Sequence, residues 1–168
     1  MSTKTTLSHR TESGQIATRK TARDYSHVVV LTYSDEAQAE RVRRAEESIV
    51  CDKARLDEYE TAVANEAWEM RTFYGDDEPV RWIATGTYSG WSIRTDADIE
   101  RTRKVLTREI RKAENYLAYV LSPESRTVVV SWHGSYENAT KKMSGRDLQW
   151  MTREGTPRVE AINGGERD

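Results

Sequence analysis

The residue types that most often carry chemistry are sparse in this chain and stand far apart. None of its three histidines, His9, His27 and His133, is near another in sequence, and its one cysteine, Cys51, has no partner for a CxxC pair. A metal centre needs His, Cys or carboxylate ligands clustered at ligand spacing. No metal and no cofactor is therefore expected. The acidic knot Asp76, Asp77 and Glu78 reads as a turn without the spacing of an EF-hand. A nucleophilic centre needs a Ser or Cys within reach of a His and an acid. Ser26 beside His27, and Ser131 just before Trp132 and His133, are the only candidates. They sit at the ends of valine-rich runs that read as strands, where neighbouring side chains point to opposite faces. No Ser–His partnership is expected from either. GxSxG, the P-loop and GxGxxG are all missing, so the chain is read as having no catalytic activity.

Binding chemistry is better represented. Trp82, Tyr88 and Trp91 are concentrated in one short stretch, and Trp, Tyr and Arg are the types that dominate interface hot spots. Three basic groups stand out: Arg19, Lys20 and Arg23; Arg41, Arg43 and Arg44; and Arg101, Arg103 and Lys104. The formal net charge is −2, so no global field draws the chain to nucleic acid. Two readings follow. The favoured one is a protein-interaction module contacting its partner through Trp82, Tyr88 and Trp91, with Arg19, Lys20 and Arg23 as a second contact group. The alternative is a nucleic-acid-binding accessory protein using Arg41, Arg43, Arg44, Arg101, Arg103 and Lys104.

The elements that position these residues can be read from periodicity. Apolar residues make up 36% of the chain and charged ones 32%, which fits long solvated helices on a small core better than one thick globe. From Ser34 to Tyr74 no Gly or Pro intervenes. Val42, Ala45, Ile49, Leu56, Tyr59, Val63 and Met70 recur at steps of three and four, the spacing of a coiled-coil seam. Ser34 supplies an N-cap and Asp35 and Glu36 an acidic first turn. The stretch predicts one helix over 34–74. Gly75 and Pro79 end it, and Val80 to Arg94, with β-formers on both sides of Gly86 to Gly90, reads as a β-hairpin or an irregular tip. A second helix, capped at Thr95 or Asp96 and running to Leu121, carries Ile99, Leu106, Ile110, Ala113, Leu117 and Val120. The two helices are expected to fold back as an antiparallel hairpin. Trp68, Met70 and Phe73 would then pack against 80–94, forming an aromatic tip.

Around this arm lie two similar segments, HVVVLTY (His27 to Tyr33) and TVVVSWH (Thr127 to His133), each followed by a helix. Unbroken valine runs predict strands covered on both faces. Strand–helix repeats predict parallel strands joined by right-handed crossovers. A helix over 136–151, weakened and divided near Gly145, and a third strand, Arg158 to Ile162, complete the base. The fold class is thus α/β (α+β): a small three-stranded sheet base (25–33 plus 122–163) with an inserted long antiparallel helical, coiled-coil hairpin (34–121, tip at 80–94). Residues 1–24 are rich in Ser, Thr, Lys and Arg and are expected as a flexible basic tail, although GQIATRKT is also readable as a short edge strand. Residues 164–168 are expected as a loose C-terminal tail. Asp52 and Glu66 leave the first seam polar in places, so the arm is open to pairing with a second copy. No apolar run is long enough to span a bilayer and no secretory signal is evident, which gives a cytoplasmic expectation.

The run ATRKTARDYSHVVV (Ala17 to Val30) resembles the opening of small uncharacterised accessory proteins from phages of actinobacteria. SWHGSYENATKK (Ser131 to Lys142) is similar to their C-terminal part. The resemblance implies a phage accessory protein acting in the cytoplasm of a bacterial host on a host or phage protein. It implies no activity and assigns no site residues.

Overall fold

A computed structural model describes residues 4–73, 78–84 and 90–165. The chain is mixed α/β, with three small antiparallel sheets and four α-helices among the described residues. It divides into two compact units, Met1–Arg43 with Ala118–Asp168, and Arg44–Leu117.

In the first unit, strand β3 (His27–Tyr33) lies between β7 (Thr127–His133) and β8 (Gly155–Ala161) and is antiparallel to both. The valine runs thus do form strands over the expected residues. Val28, Val29, Val30 and Leu31 are fully buried, as a β-branched run without polar alternation requires. Helices α3 (Tyr136–Lys142) and α4 (Gly145–Glu154) cover one face, where Val29 and Leu31 meet Ala139 and Met151. The expected 136–151 helix is therefore divided, with Gly145 opening the second piece.

The parallel arrangement expected from the strand–helix repeat is not formed between β3 and β7. After β3 come two long helices, α1 (Asp35–Ala64) and α2 (Asp96–Leu121), not one. The chain re-enters the sheet beside the end of β3, with Thr127 opposite Thr32, so β7 runs the other way. One crossover made of α3 and α4 then carries the chain from β7 to β8. These two strands are parallel to each other with β3 between them.

Residues 5–21 are not a flexible tail. Strands β1 (Thr5–Arg10) and β2 (Ile16–Thr21) form a hairpin, closed by Thr11 N–H to Gln15 C=O at 2.8 Å, with Gly14 in the left-handed region at φ 92°. Its alternation of Thr5, Leu7 and His9 with the exposed Lys4, Thr6 and Arg10 is a strand pattern, masked by a hydrophilic composition. The expected loose C-terminus is also partly paired, with β9 (Gly164–Gly165) adding to β1. Residues 166–168 lie outside the described residues. His9 is fully buried with Nε2 2.8 Å from Glu160 Oε2, and Arg158 bonds Glu12 at 2.6 Å. The hairpin therefore rests on the sheet face that carries Glu160.

Ser34 caps α1 as expected, accepting the Ala37 N–H at 3.1 Å. The helix stops at Ala64, ten residues before the expected end. Glu66 takes a left-handed φ of 51°. Ala67 N–H bonds Ala62 C=O and Glu66 N–H bonds Val63 C=O, which is the paired closure of a Schellman motif. Glycine usually marks such a stop. Here a glutamate occupies the position, so nothing in the residue types announces it. Residues 69–71 instead form strand β4 (Glu69–Arg71), paired to β5 (Val80–Ala84), which pairs in turn with β6 (Gly90–Ile93). Of the expected 80–94 segment, the two strands are present and pair antiparallel, while 85–89 lie outside the described residues.

In this second unit Tyr59, Ile83, Ile93 and Leu106 form a core, joined by Leu56, Val63, Trp68, Trp91 and Ile99. Ala45, Ile49, Asp52, Leu56, Tyr59 and Val63 are buried or half-buried while the residues beside most of them on α1 are exposed. Lys53 meets Glu114 at 3.0 Å, Arg103 meets Glu60 at 2.5 Å, and the Tyr59 hydroxyl lies 3.5 Å from the Ile99 carbonyl. Burial raises the Tyr59 phenol above its ordinary range, while Thr102 and Arg103 pull the other way.

Candidate binding surfaces

Strand alternation in the second unit sorts the aromatic residues by face. Ile83, Trp91 and Ile93 share the face that joins the core, so Trp91 is spent on packing: its ring meets Tyr59 edge-on at 6.4 Å. Trp82 is on the opposite face. Its indole lies across Gly90, where a Cβ would stand 2.4 Å from the ring, so the absence of a side chain at 90 is what lets the ring lie there. Phe73 packs on Trp82 at 5.1 Å and the Arg71 guanidinium stands over the same indole at 5.5 Å. Arg71 and Phe73 are exposed and Trp82 is half-buried. The indole N–H groups of Trp82 and Trp91 are both buried, with no acceptor among the described residues. Tyr88 lies outside the described residues. Of the three expected tip contacts, then, Trp82 is at a surface cluster and Trp91 is in the core. Arg71 and Phe73 join Trp82, although the sequence placed them on a helix.

The basic groups are separated by what each guanidinium touches. Arg41 is taken up by the fold of the first unit: it donates to Gln38 and to the Ser125 carbonyl, and stacks on Tyr33 at 4.0 Å. Arg43 holds Glu40 at 2.7 Å. Arg44 is exposed and is itself engaged. Arg101 pairs with Asp98 at 2.9 Å, and Arg103 binds both Glu60 and Glu100. That embrace holds the Glu60 carboxyl below its usual range and pushes the Arg103 guanidinium up, each mainly through their shared hydrogen bond. Asp98 is likewise lowered, first by the Thr95 backbone N–H. Lys104 is exposed and, among the described residues, holds no ion pair. It lines an open concavity of about 320 Å³ with Arg103, Thr107, Arg108 and Arg111. Arg108 and Arg111 were not singled out by the sequence, although both are visible there at helical spacing from Lys104.

In the first unit Arg19 stacks on Tyr25 at 4.8 Å, while Lys20 and Arg23 are exposed. Arg19 and Lys20 lie on β2, the outer strand of its sheet. They are ordered residues of a strand edge, not of a flexible arm.

Two Ser–His contacts do form, against expectation. Ser26 Oγ stands 2.8 Å from His27 Nδ1 because Ser26 precedes the strand and its hydroxyl turns back to Gly134 C=O. Ser131 Oγ stands 2.8 Å from His133 Nε2, since residues two apart share a face. Burial, then the Lys142 charge, holds His133 below its ordinary value and so in the neutral form. Among the described residues no carboxylate orients its other nitrogen and no cluster of three or more His, Cys, Asp or Glu could hold a metal. In the same residues no helix is long and apolar enough to cross a membrane. Comparison with protein-family models, with curated proteins and with solved structures gives no match for this chain.

Proposed function

We propose that this chain is a non-enzymatic interaction module that binds a partner protein through the outer face of the β4–β5–β6 sheet. The observation that carries the reading is the cluster in which Phe73 and Arg71 both pack on Trp82 at the surface of a small sheet, Trp and Arg being hot-spot types. α1 and α2 are read as the antiparallel pair that supports this sheet. In favour of that reading, the contacts Lys53–Glu114 and Glu60–Arg103 step in opposite directions along the two helices. The α1 seam, with the polar Asp52 inside it, repeats at heptad spacing. The resemblance of Ala17 to Val30 and Ser131 to Lys142 to phage accessory proteins supports a host or phage protein as the partner, met in the bacterial cytoplasm.

The test is affinity capture from an actinobacterial lysate, with and without phage infection, followed by quantitative mass spectrometry. Arg71→Glu with Phe73→Ala alters the exposed members and spares the half-buried indole. The double variant should fold normally and lose at least nine-tenths of any partner recovered by the wild type. Equal recovery at an unchanged melting temperature removes this face from the reading.

A further inference from the structure

The stretch Arg101 to Lys112, RTRKVLTREIRK, carries six cations and one carboxylate. In a protein of net charge −2 this is a local positive field. At 0.1 M salt the Debye length is about 10 Å, so such a field acts at close range whatever the total charge. The structure divides its members. Arg101 and Arg103 are turned along or across the helices to Asp98, Glu60 and Glu100. Lys112 is held by Glu109. Lys104, Arg108 and Arg111 remain as an exposed row on α2, with the hydroxyl of Thr107 among them. At 100° per residue the row points away from the helix stripe that contains Thr102, Leu106 and Ile110, all buried. Its members rise along the axis by about 6 Å from Lys104 to Arg108 and about 10 Å from Lys104 to Arg111. Arg108 reaches Glu109 only at 3.6 Å. Among the described residues Lys104 and Arg111 hold no ion pair.

We propose that this row is a docking surface for the sugar–phosphate backbone of duplex nucleic acid, bound without regard to base sequence. The inference is independent of the sheet face proposed above. Charge complementarity calls for a polyanion, and the make-up of the row decides between a nucleic acid and an acidic protein. Protein hot spots are Trp, Tyr and Arg seated in well-packed, desolvated pockets, and the row's arginines have no aromatic or branched apolar side chain in the row beside them to make such a pocket. It offers cations and one hydroxyl on a rigid helix, which is how phosphates are held. A single-stranded ligand is disfavoured for a related reason, since such sites use aromatic platforms on which bases stack.

The test is fluorescence anisotropy with a labelled 20-base-pair DNA duplex of arbitrary sequence, titrated from 20 to 200 mM salt. Three phosphate contacts give a slope of log Kobs on log salt of about −2.7, or roughly 40-fold weaker binding at 200 than at 50 mM. Lys104→Gln, Arg108→Gln and Arg111→Gln together should flatten that slope and abolish binding at low salt, with an unchanged circular dichroism spectrum. If the triple variant loses helix, the three single variants decide: each should reduce the slope by about 0.9. No binding of the duplex at 20 mM salt overturns the proposal, as does equal binding by folded variants. Tighter binding of polyglutamate than of duplex reassigns the row to an acidic protein. Tighter binding of the single strand refutes the duplex as occupant.

Discussion

Gly155 stands where three elements of the first unit meet, and an alanine there should be among the most damaging single changes in the chain. It follows α4 directly, starts β8, and pairs with Tyr33 at the end of β3. Beside it Ser34 N–H bonds Glu154 C=O at 3.0 Å, tying the start of α1 to the end of α4. A Cβ at 155 would lie 2.0 Å from the Thr32 carbonyl oxygen and 2.8 Å from Tyr33 Cα. The obstacle is backbone, so no side chain can swing aside. One strand must move by about 1 Å to restore van der Waals distance, and the outermost β3–β8 bonds go with it. Overpacking costs typically about 1–3 kcal/mol, and a rigid obstacle puts Gly155→Ala at the upper end, about 3 kcal/mol. For a chain of this size that lowers the melting midpoint by roughly 6–12 °C. Differential scanning calorimetry measures the shift, and hydrogen exchange should show faster exchange at Tyr33 and Ser34 than at Val28. Gly134→Ala is the control: its Cβ would stand 3.3 Å from the Asp24 carbonyl, so it should cost little. A Gly155→Ala midpoint within 2 °C of wild type would refute the argument that β8 and β3 approach too closely there for a side chain.

Two further outcomes follow from the same physics. Glu66→Gly should stabilise the chain by about 0.5–1 kcal/mol, the left-handed penalty of an L-residue less the entropy of glycine; a lowered urea midpoint would count against the helix stop at Ala64. Stability should fall in two stages as pH is lowered. Because His133 is depressed below its ordinary 6.5, the unfolded chain takes up that proton first, so stability declines from about pH 7 down to the folded value. The lowered Glu60, Glu109 and Asp98 contribute stability that is present above their ordinary values of 4.5, 4.5 and 3.8 and is lost as pH falls through their depressed ones. His133→Gln should erase the upper stage alone, as read from urea midpoints at pH 7.5, 5.5 and 3.5; an unaltered upper stage would mean another group is responsible.

Much of this architecture was legible because it follows from local pattern. The valine runs give β3 and β7 over the expected residues, Ser34 opens α1, and β-formers on both sides of Gly86 to Gly90 give the paired β5 and β6. What was not legible depended on partners distant in sequence. Residues 65–73 contain no helix breaker, and only the pairing of Glu69–Arg71 with β5 and the burial of Trp68 against the core make them leave the helix. The N-terminal hairpin was hidden for a similar reason. Its Thr, Ser and Lys resemble a solvated tail by composition, and the buried contact between His9 and Glu160 spans 151 positions. At the surfaces, spacing found Trp82 and Lys104 but not their neighbours, since ion pairing and stacking are not written in residue type.

The reversal of sheet direction has a simple origin that joins sequence to both proposed surfaces. One helix between two strands returns the chain to the far end of the sheet, and the next strand is parallel. A connection whose end lies beside its start, as the one from Tyr33 to Thr127 does, returns it to the near end, and the next strand is antiparallel. The valine repeat could not distinguish these cases, because β3 and β7 are each followed by two helices. What separates them is length: α1 and α2 have 30 and 26 residues and belong partly to the second unit, whereas α3 and α4 have 7 and 10 and stay with the sheet. Short helices can cross a three-stranded sheet and cover its face. The long ones bury Tyr59 and Leu106 with Ile83 of β5 and Ile93 of β6, in the core of the second unit. On α2 the buried stripe is Thr102, Leu106 and Ile110, and Lys104, Arg108 and Arg111 lie on the exposed face. The basic row and the aromatic sheet therefore both belong to the second unit.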